Sequence, residues 1–259
     1  MIAMTAAEKN SLARFLDLAA AVTGSGYRLH DDPVPMAEEV AETAAEYVPE
    51  AAPLDNALPV MASGDSLESV AADVRGCTAC KLSATRTNAV PGEGALRPLV
   101  MVIGEGPGAD EDATGRPFVG KAGQLLDKML ASIGLYRESN CYIANVIKCR
   151  PPENRDPQPD ETAACASFLA RQIQLLQPRF ILCAGRIAAQ TLLNTSTPIG
   201  KLRGQFFDFQ AGDATIPFLP TYHPSALLRN EDLKRPAWED LKLLRSRMDS
   251  AQGIGSSEQ

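Results

Sequence analysis

An α/β fold, with a parallel sheet covered by helices on both faces, is the class this 259-residue sequence predicts. Three observations predict it: between Leu67 and Met248 four short apolar runs recur, helical patterns separate them, and Gly or Pro punctuates the joins. The runs Leu99–Gly104, Cys141–Ile147, Phe180–Ala184 and Pro217–Thr221 read as strands, the last weakened by its prolines. Helical periodicity fits Lys121–Ile133, Asp160–Leu176, Arg186–Leu193 and Pro236–Met248, and Pro236 suits a first helical turn. Strands alternating with helices imply parallel crossovers. Sheets of that kind bind ligands beyond the carboxyl ends of their strands, so the residues after each strand come first in the search for chemistry.

The flanking segments differ in texture. Over residues 1–23, Leu12, Phe15, Leu16, Leu18 and Ala19 recur at helical spacing and Thr5 and Glu8 stand in capping-box order, which predicts an amphipathic helix. Such a helix is a candidate for docking a partner, with a local cap as the plainer reading. Residues 24–66 are rich in Ala, Pro and Glu with no sustained apolar period and read as an acidic linker without fixed structure. The folded domain is expected over 67–250 and a tail over 251–259. The net charge of −7 lies wholly in residues 1–64, where 10 acidic residues face Lys9, Arg14 and Arg28; the remainder balances 22 basic against 22 acidic. A neutral remainder can still carry a basic face, so composition neither indicates nor excludes nucleic acid. No run approaches a membrane span and no secretory signal is evident, so a cytoplasmic setting is expected. Six cysteines are too sparse for a disulfide scaffold, which makes metal the first reading of any paired ones.

The loop after the first strand, Gly104-Glu-Gly-Pro-Gly-Ala-Asp-Glu-Asp112, continues to Gly123 and is long and glycine-rich. Its glycines let backbone amides approach a ligand, while Glu105, Asp110, Glu111 and Asp112 set carboxylates beside it. It fits neither a GxxxxGK[ST] loop nor GxGxxG. Phe118, bounded by Gly and Pro, is a stacking platform or a loop anchor. Asn145 interrupts an apolar strand and is a structural bridge or a ligand reader, because a buried amide must satisfy its carbonyl and both N–H groups. The fourth strand ends in Tyr222-His223-Pro-Ser-Ala-Leu-Leu-Arg229, where His223 has its backbone fixed by the following proline. Leu227 and Leu228 are core residues or an apolar wedge for a base stack.

Cys77-Thr-Ala-Cys80 is a C-x-x-C, and Cys149 and Cys165 enclose fifteen residues of proline-rich loop. Two pairs make four ligands, for tetrahedral zinc or for an iron-sulfur centre, and spacing alone leaves both open. Cys141 and Cys183 lie within apolar strands and read as small core residues.

Taken together, GCTACKL, RTNAVPGEG, GEGPGADED, GRPFVGKAG, NVIKCRPPENRDP and YHPSALLR closely resemble the family 4 uracil-DNA glycosylases, in order and over roughly Leu67 to Met248. The resemblance implies a three-layer α/β/α sandwich with a central four-stranded parallel sheet, and a 4Fe-4S cluster on Cys77, Cys80, Cys149 and Cys165. It further implies that Glu105 and Gly106 begin the water-positioning motif, that Glu111 is a further carboxylate near the attacked sugar, and that Phe118 stacks on uracil. Asn145 would read the Watson-Crick edge and His223 would hydrogen-bond O2. Ser225, Leu227, Leu228 and Arg229 would meet DNA, with Lys201 and Arg203 as further phosphate contacts. GRPFVGKAG lacks the histidine of a relative that bonds covalently to DNA, which argues for turnover. The expected partner is uracil-containing DNA, single- or double-stranded, met by a monomer at the nucleoid. A broader-specificity glycosylase, a non-catalytic binding module and a cluster-bearing electron carrier are the competing classes; Glu105 speaks against the first, the joint presence of Phe118, Asn145 and His223 against the second, and His223 with the long first loop against the third.

Overall fold

The computed structural model describes residues 64–212 and 214–251. The helix expected over 1–23, nearly all of 24–66 and nearly all of the tail lie outside them. The folded unit nonetheless begins before Leu67. Ser66 caps α1 (Leu67–Gly76) by accepting from the Ser69 amide at 3.1 Å, and Asp65 is ion-paired to Arg171 at 2.6 Å, so both belong to the domain and not to a linker.

The order then runs β1 (Glu93–Gly94), β2 (Val100–Gly104), α2 (Ala109–Thr114), α3 (Lys121–Ala131), β3 (Cys141–Asn145), α4 (Pro159–Leu176), β4 (Phe180–Ala184) and α5 (Arg186–Leu193). It closes with α6 (Ile199–Leu202), β5 (Phe207–Ala211), β6 (Ala214–Thr221), α7 (Pro224–Arg229) and α8 (Lys234–Ala251). All four expected strands are present and mutually parallel, in the order β3-β2-β4-β6. The sheet is six-stranded rather than four-stranded, because β1 and β5 add antiparallel edges. The β5–β6 hairpin carries an alternating Phe207-Asp-Phe-Gln pattern, and β6 runs through Pro217, which pairs with Asp208 of β5 before the ladder to β4 begins at Phe218. Pro236 lies in the first turn of α8, as expected, although that helix starts two residues earlier.

Strand side chains alternate between two cores. Met101, Ile103, Ile181 and Cys183 pack with Leu169 and Ile173 of α4 and Ala188 of α5 on one face. Val100, Val102, Cys141 and Leu182 pack with Leu125 and Leu126 of α3 and Trp238 and Leu241 of α8 on the other. This is the three-layer sandwich, with Cys141 and Cys183 in its core. Register pairs Gly104 with Asn145 and Ala184 with Thr221, so the strands end level. Beyond β2 the chain turns toward β3 and beyond β4 toward β6, which opens a crevice at that switch point.

Candidate active site

Four of the residues singled out in the sequence meet at this crevice. Gly104 is the hinge of the arrangement, since a Cβ there would lie 2.5 Å from Asn145 Oδ1 and 2.5 Å from Phe118 Cζ. Amide and ring thus face each other across a position that only glycine leaves open. Phe118 stands 5.5 Å from His223 between ring centroids, tilted by 33°. Its backbone is left-handed, at φ 53°, a conformation that costs a phenylalanine about 1–3 kcal/mol and persists only where the surroundings impose it.

Asn145 is 1% exposed, yet neither Oδ1 nor Nδ2 has a hydrogen-bond partner among the described residues. Leaving a buried amide unpaired costs about 1–3 kcal/mol per group, and the side chain bridges no other described residue by a hydrogen bond. The amide's own backbone is fixed by Lys148, whose fully buried ammonium donates to the Asn145 carbonyl and to Gln172 Oε1, both at 2.7 Å. Gln172 in turn donates to the Pro91 carbonyl. The sequence reading missed Lys148; its signal is a lysine inside the apolar run Asn-Val-Ile-Lys-Cys.

His223 caps α7. Its Nδ1 accepts from the Ser225 amide at 3.1 Å and lies 2.8 Å from Ser225 Oγ. A backbone N–H can only donate, so the neutral ring carries its proton on Nε2, which has no protein partner among the described residues. Burial, aided by Arg229 and opposed by Glu111, pushes the ring's pKa down to about 4. At neutral pH the site therefore presents an uncharged Nε2–H donor. Gly185 makes room for it, since a Cβ there would lie 2.9 Å from His223 Cβ.

Glu105 sits at the rim, held because its carbonyl accepts from the Ile147 amide at 3.1 Å. Burial, reinforced by Asp156 and opposed by Arg186 and Arg229, pushes its carboxyl up to about 7. Gly106 packs its backbone on Ile147, where a Cβ would approach to 2.7 Å. Glu111 differs from its expected role. Oε1 accepts from the Val119 and Gly120 amides at 2.8 and 3.0 Å and Oε2 from Gly108 at 3.1 Å, so this carboxylate pins the loop around Phe118 instead of facing a sugar.

The expected DNA contacts divide. Leu227 is fully buried in the α3–α8 core and cannot act as a wedge, because withdrawing it would open a cavity. Leu228 is half-buried and Arg229 exposed. Arg229 reaches Ser225 Oγ at 3.4 Å, close behind His223. Arg203 is braced internally on Asp240, at 2.7 Å, and over the Tyr222 ring.

On the α4 side Cys149 and Cys165 are buried and Cys77 and Cys80 half-buried, and all four are free thiols. Arg86 ties their segments together, donating to Cys149 Sγ at 3.0 Å and to the Cys77 carbonyl at 2.9 Å. Burial raises the Cys149 thiol, and Cys80 and Cys77 raise it further; Cys165 is pushed up to about 11, with Cys149 and Cys80 contributing. Among the described residues no group of three or more His, Cys, Asp or Glu side chains is arranged to hold a metal ion. No helix among them is long and apolar enough to cross a membrane.

A family model described as the uracil DNA glycosylase superfamily matches residues 91–242. The type-4 uracil-DNA glycosylase of Thermotoga maritima is 46% identical over 183 residues, covering 70% of this chain and 93% of the relative. That of Archaeoglobus fulgidus is 42% identical over 182 residues, covering 69% and 91%. A type-5 uracil-DNA glycosylase of Pyrobaculum aerophilum is more distant, 33% identical over 153 residues that make up 53% of this chain and 66% of the relative.

Proposed function

The chain belongs to the uracil-DNA glycosylase superfamily, and from that premise we propose that it is a monofunctional enzyme that flips uracil out of DNA and hydrolyses its N-glycosidic bond, initiating base excision repair. The unpartnered, buried amide of Asn145 carries this reading. Uracil offers O4 as an acceptor and N3–H as a donor, which one asparagine amide matches, while Phe118 covers the flat face of the base. Cleavage leaves negative charge on the departing uracil and positive charge on the sugar, so the site has to stabilise both. The neutral Nε2–H of His223 serves the first by donating to O2. Glu105 serves the second and aligns water, Gly106 contributing only backbone. Extrusion of the nucleotide costs a few kcal/mol, and in this reading Leu228 would fill the gap and Arg229 would hold phosphate. The experiment is cleavage of an oligonucleotide with a single uracil, beside a thymine control, followed by alkali; cutting at thymine as well, or no cutting, would overturn the reading.

The pH dependence tests Glu105. Its carboxyl, raised to about 7, must ionise to align water, so kcat/KM is expected to climb through about that pH. His223 stays neutral down to about 4 and adds no limb in that range. A pH–rate profile of Glu105→Gln should be flat and low; an unchanged limb would remove Glu105 from the role.

Cys77, Cys80, Cys149 and Cys165 fit a 4Fe-4S cluster by donor set, four thiols with the Arg86 cation bonded to Cys149 Sγ and to the Cys77 carbonyl. When bound, it would supply a cross-link between the Cys77–Cys80 segment and the Cys149–Cys165 loop. Cys149→Ala is then expected to lose the brown absorbance and several degrees of Tm together; loss of neither would argue against the cluster. We further take the enzyme to act as a monomer in the cytoplasm at the nucleoid, with residues 1–23 free to dock a partner and dispensable for cleavage.

A further inference from the structure

Arg137 lies in the turn that leads into β3 and is 9% exposed. All five of its N–H donors are used. Nε and one Nη2–H go to Asp127 Oδ1 at 2.9 and 2.7 Å, and one Nη1–H goes to Glu93 Oε1 at 2.6 Å. The remaining two reach the Pro117 carbonyl at 3.1 Å and the Phe118 carbonyl at 2.9 Å. The segment so gripped carries the left-handed φ of Phe118. On its far side Gly123 leaves no slack, since a Cβ there would lie 1.9 Å from the Phe118 oxygen. Glu111 holds the next two amides. The Phe118 backbone is therefore clamped by a cation on its carbonyls and an anion on the amides that follow, which is the over-determination that a strained residue needs.

We propose that Arg137 is a positioning residue for base recognition: its guanidinium fork fixes the Pro117–Phe118 carbonyls so that the Phe118 ring waits in the orientation a planar pyrimidine requires. This rests on the reading of Phe118 as the stacking residue of a uracil-DNA glycosylase. The fork matters more than the charge. Lysine, a point cation with three donors, cannot span two carbonyls and two carboxylates in one plane.

Arg137→Lys is expected to lower the single-turnover rate at saturating enzyme by tenfold to a hundredfold, the scale on which a misplacement of about 1 Å acts. Inhibition by free uracil should weaken by a similar factor. Arg116→Gln is the control, because Arg116 shares Glu93 with Arg137, at 2.8 Å, and touches neither carbonyl; it should leave both readouts within twofold. Should Arg137→Lys not fold, Asp127→Ala, which releases two of the five bonds at a half-exposed partner, is expected to give a threefold to tenfold loss in the same two measurements. If Phe118→Ala slows cleavage and weakens uracil inhibition while the Arg137 and Asp127 variants change only Tm, Arg137 is a structural residue and the inference fails alone. If the wild-type chain does not cut uracil, the functional reading fails first.

Discussion

His223→Ala is expected to reduce single-turnover uracil cleavage by about a hundredfold to a thousandfold, the range seen when one preorganised donor to a developing anion is removed. Ser225 donates its amide to Nδ1, so the proton stands on Nε2, and burial keeps the ring neutral down to about 4. A neutral donor stabilises a delocalised anion without surrendering its proton. His223→Gln keeps an N–H donor and should recover part of the loss; a glutamine variant as slow as alanine would mean that the ring's shape matters and not its donor. The cap on α7 is lost in the alanine variant, which costs about 1 kcal/mol of stability, too little to explain the rate at a temperature well below Tm. Linkage gives a second readout. The folded-state value lies below the ordinary 6.5, so the unfolded chain binds more protons between the two, and the contribution present above 6.5 is lost as pH falls toward about 4. Wild type should lose more stability over that interval than His223→Gln, measured by denaturant midpoint at each pH.

Much of this site was legible in the sequence. Strand-end position identified His223 and Asn145, because a parallel sheet with level strand ends brings residues 78 positions apart to one crevice. Phe118 stood out for lacking a periodic partner. What the sequence hid were interactions set by three-dimensional closure. Glu111 resembles any loop carboxylate until the chain folds back and places three amides around it. Leu227 and Leu228 are indistinguishable as a dipeptide, and only the direction of α7 buries the first. Arg137, Lys148 and Arg86 are basic residues that composition counts as surface charge, yet each is spent on carbonyls or sulfur inside the domain. The edge strand β5 was missed because its partner begins with residues that a proline seemed to exclude.

Asn145 offers the sharpest separation of function from stability. Replacing it with leucine, similar in size, removes two buried polar atoms that the free protein leaves unpaired. Removing an unsatisfied buried group relieves a cost of about 1–3 kcal/mol, so Asn145→Leu should melt at the same temperature as wild type or higher. Bound uracil reverses the sign. O4 and N3–H would enter a pocket with nothing to meet them, at about 1–3 kcal/mol each, and kcat/KM should fall by about two to four orders of magnitude. A residue that merely bridges strands predicts the opposite pair of results, a lower Tm with modest loss of rate. Asn145→Asp sharpens the test, since an ionised carboxylate only accepts and would face O4 with like charge density; it should be as slow on uracil as leucine. Cytosine, with an acceptor at N3 and a donor at N4, presents the inverse of what the amide offers, and wild type should leave it uncut. Cutting of cytosine at a rate near that of uracil would show that the amide does not discriminate, whatever its effect on rate.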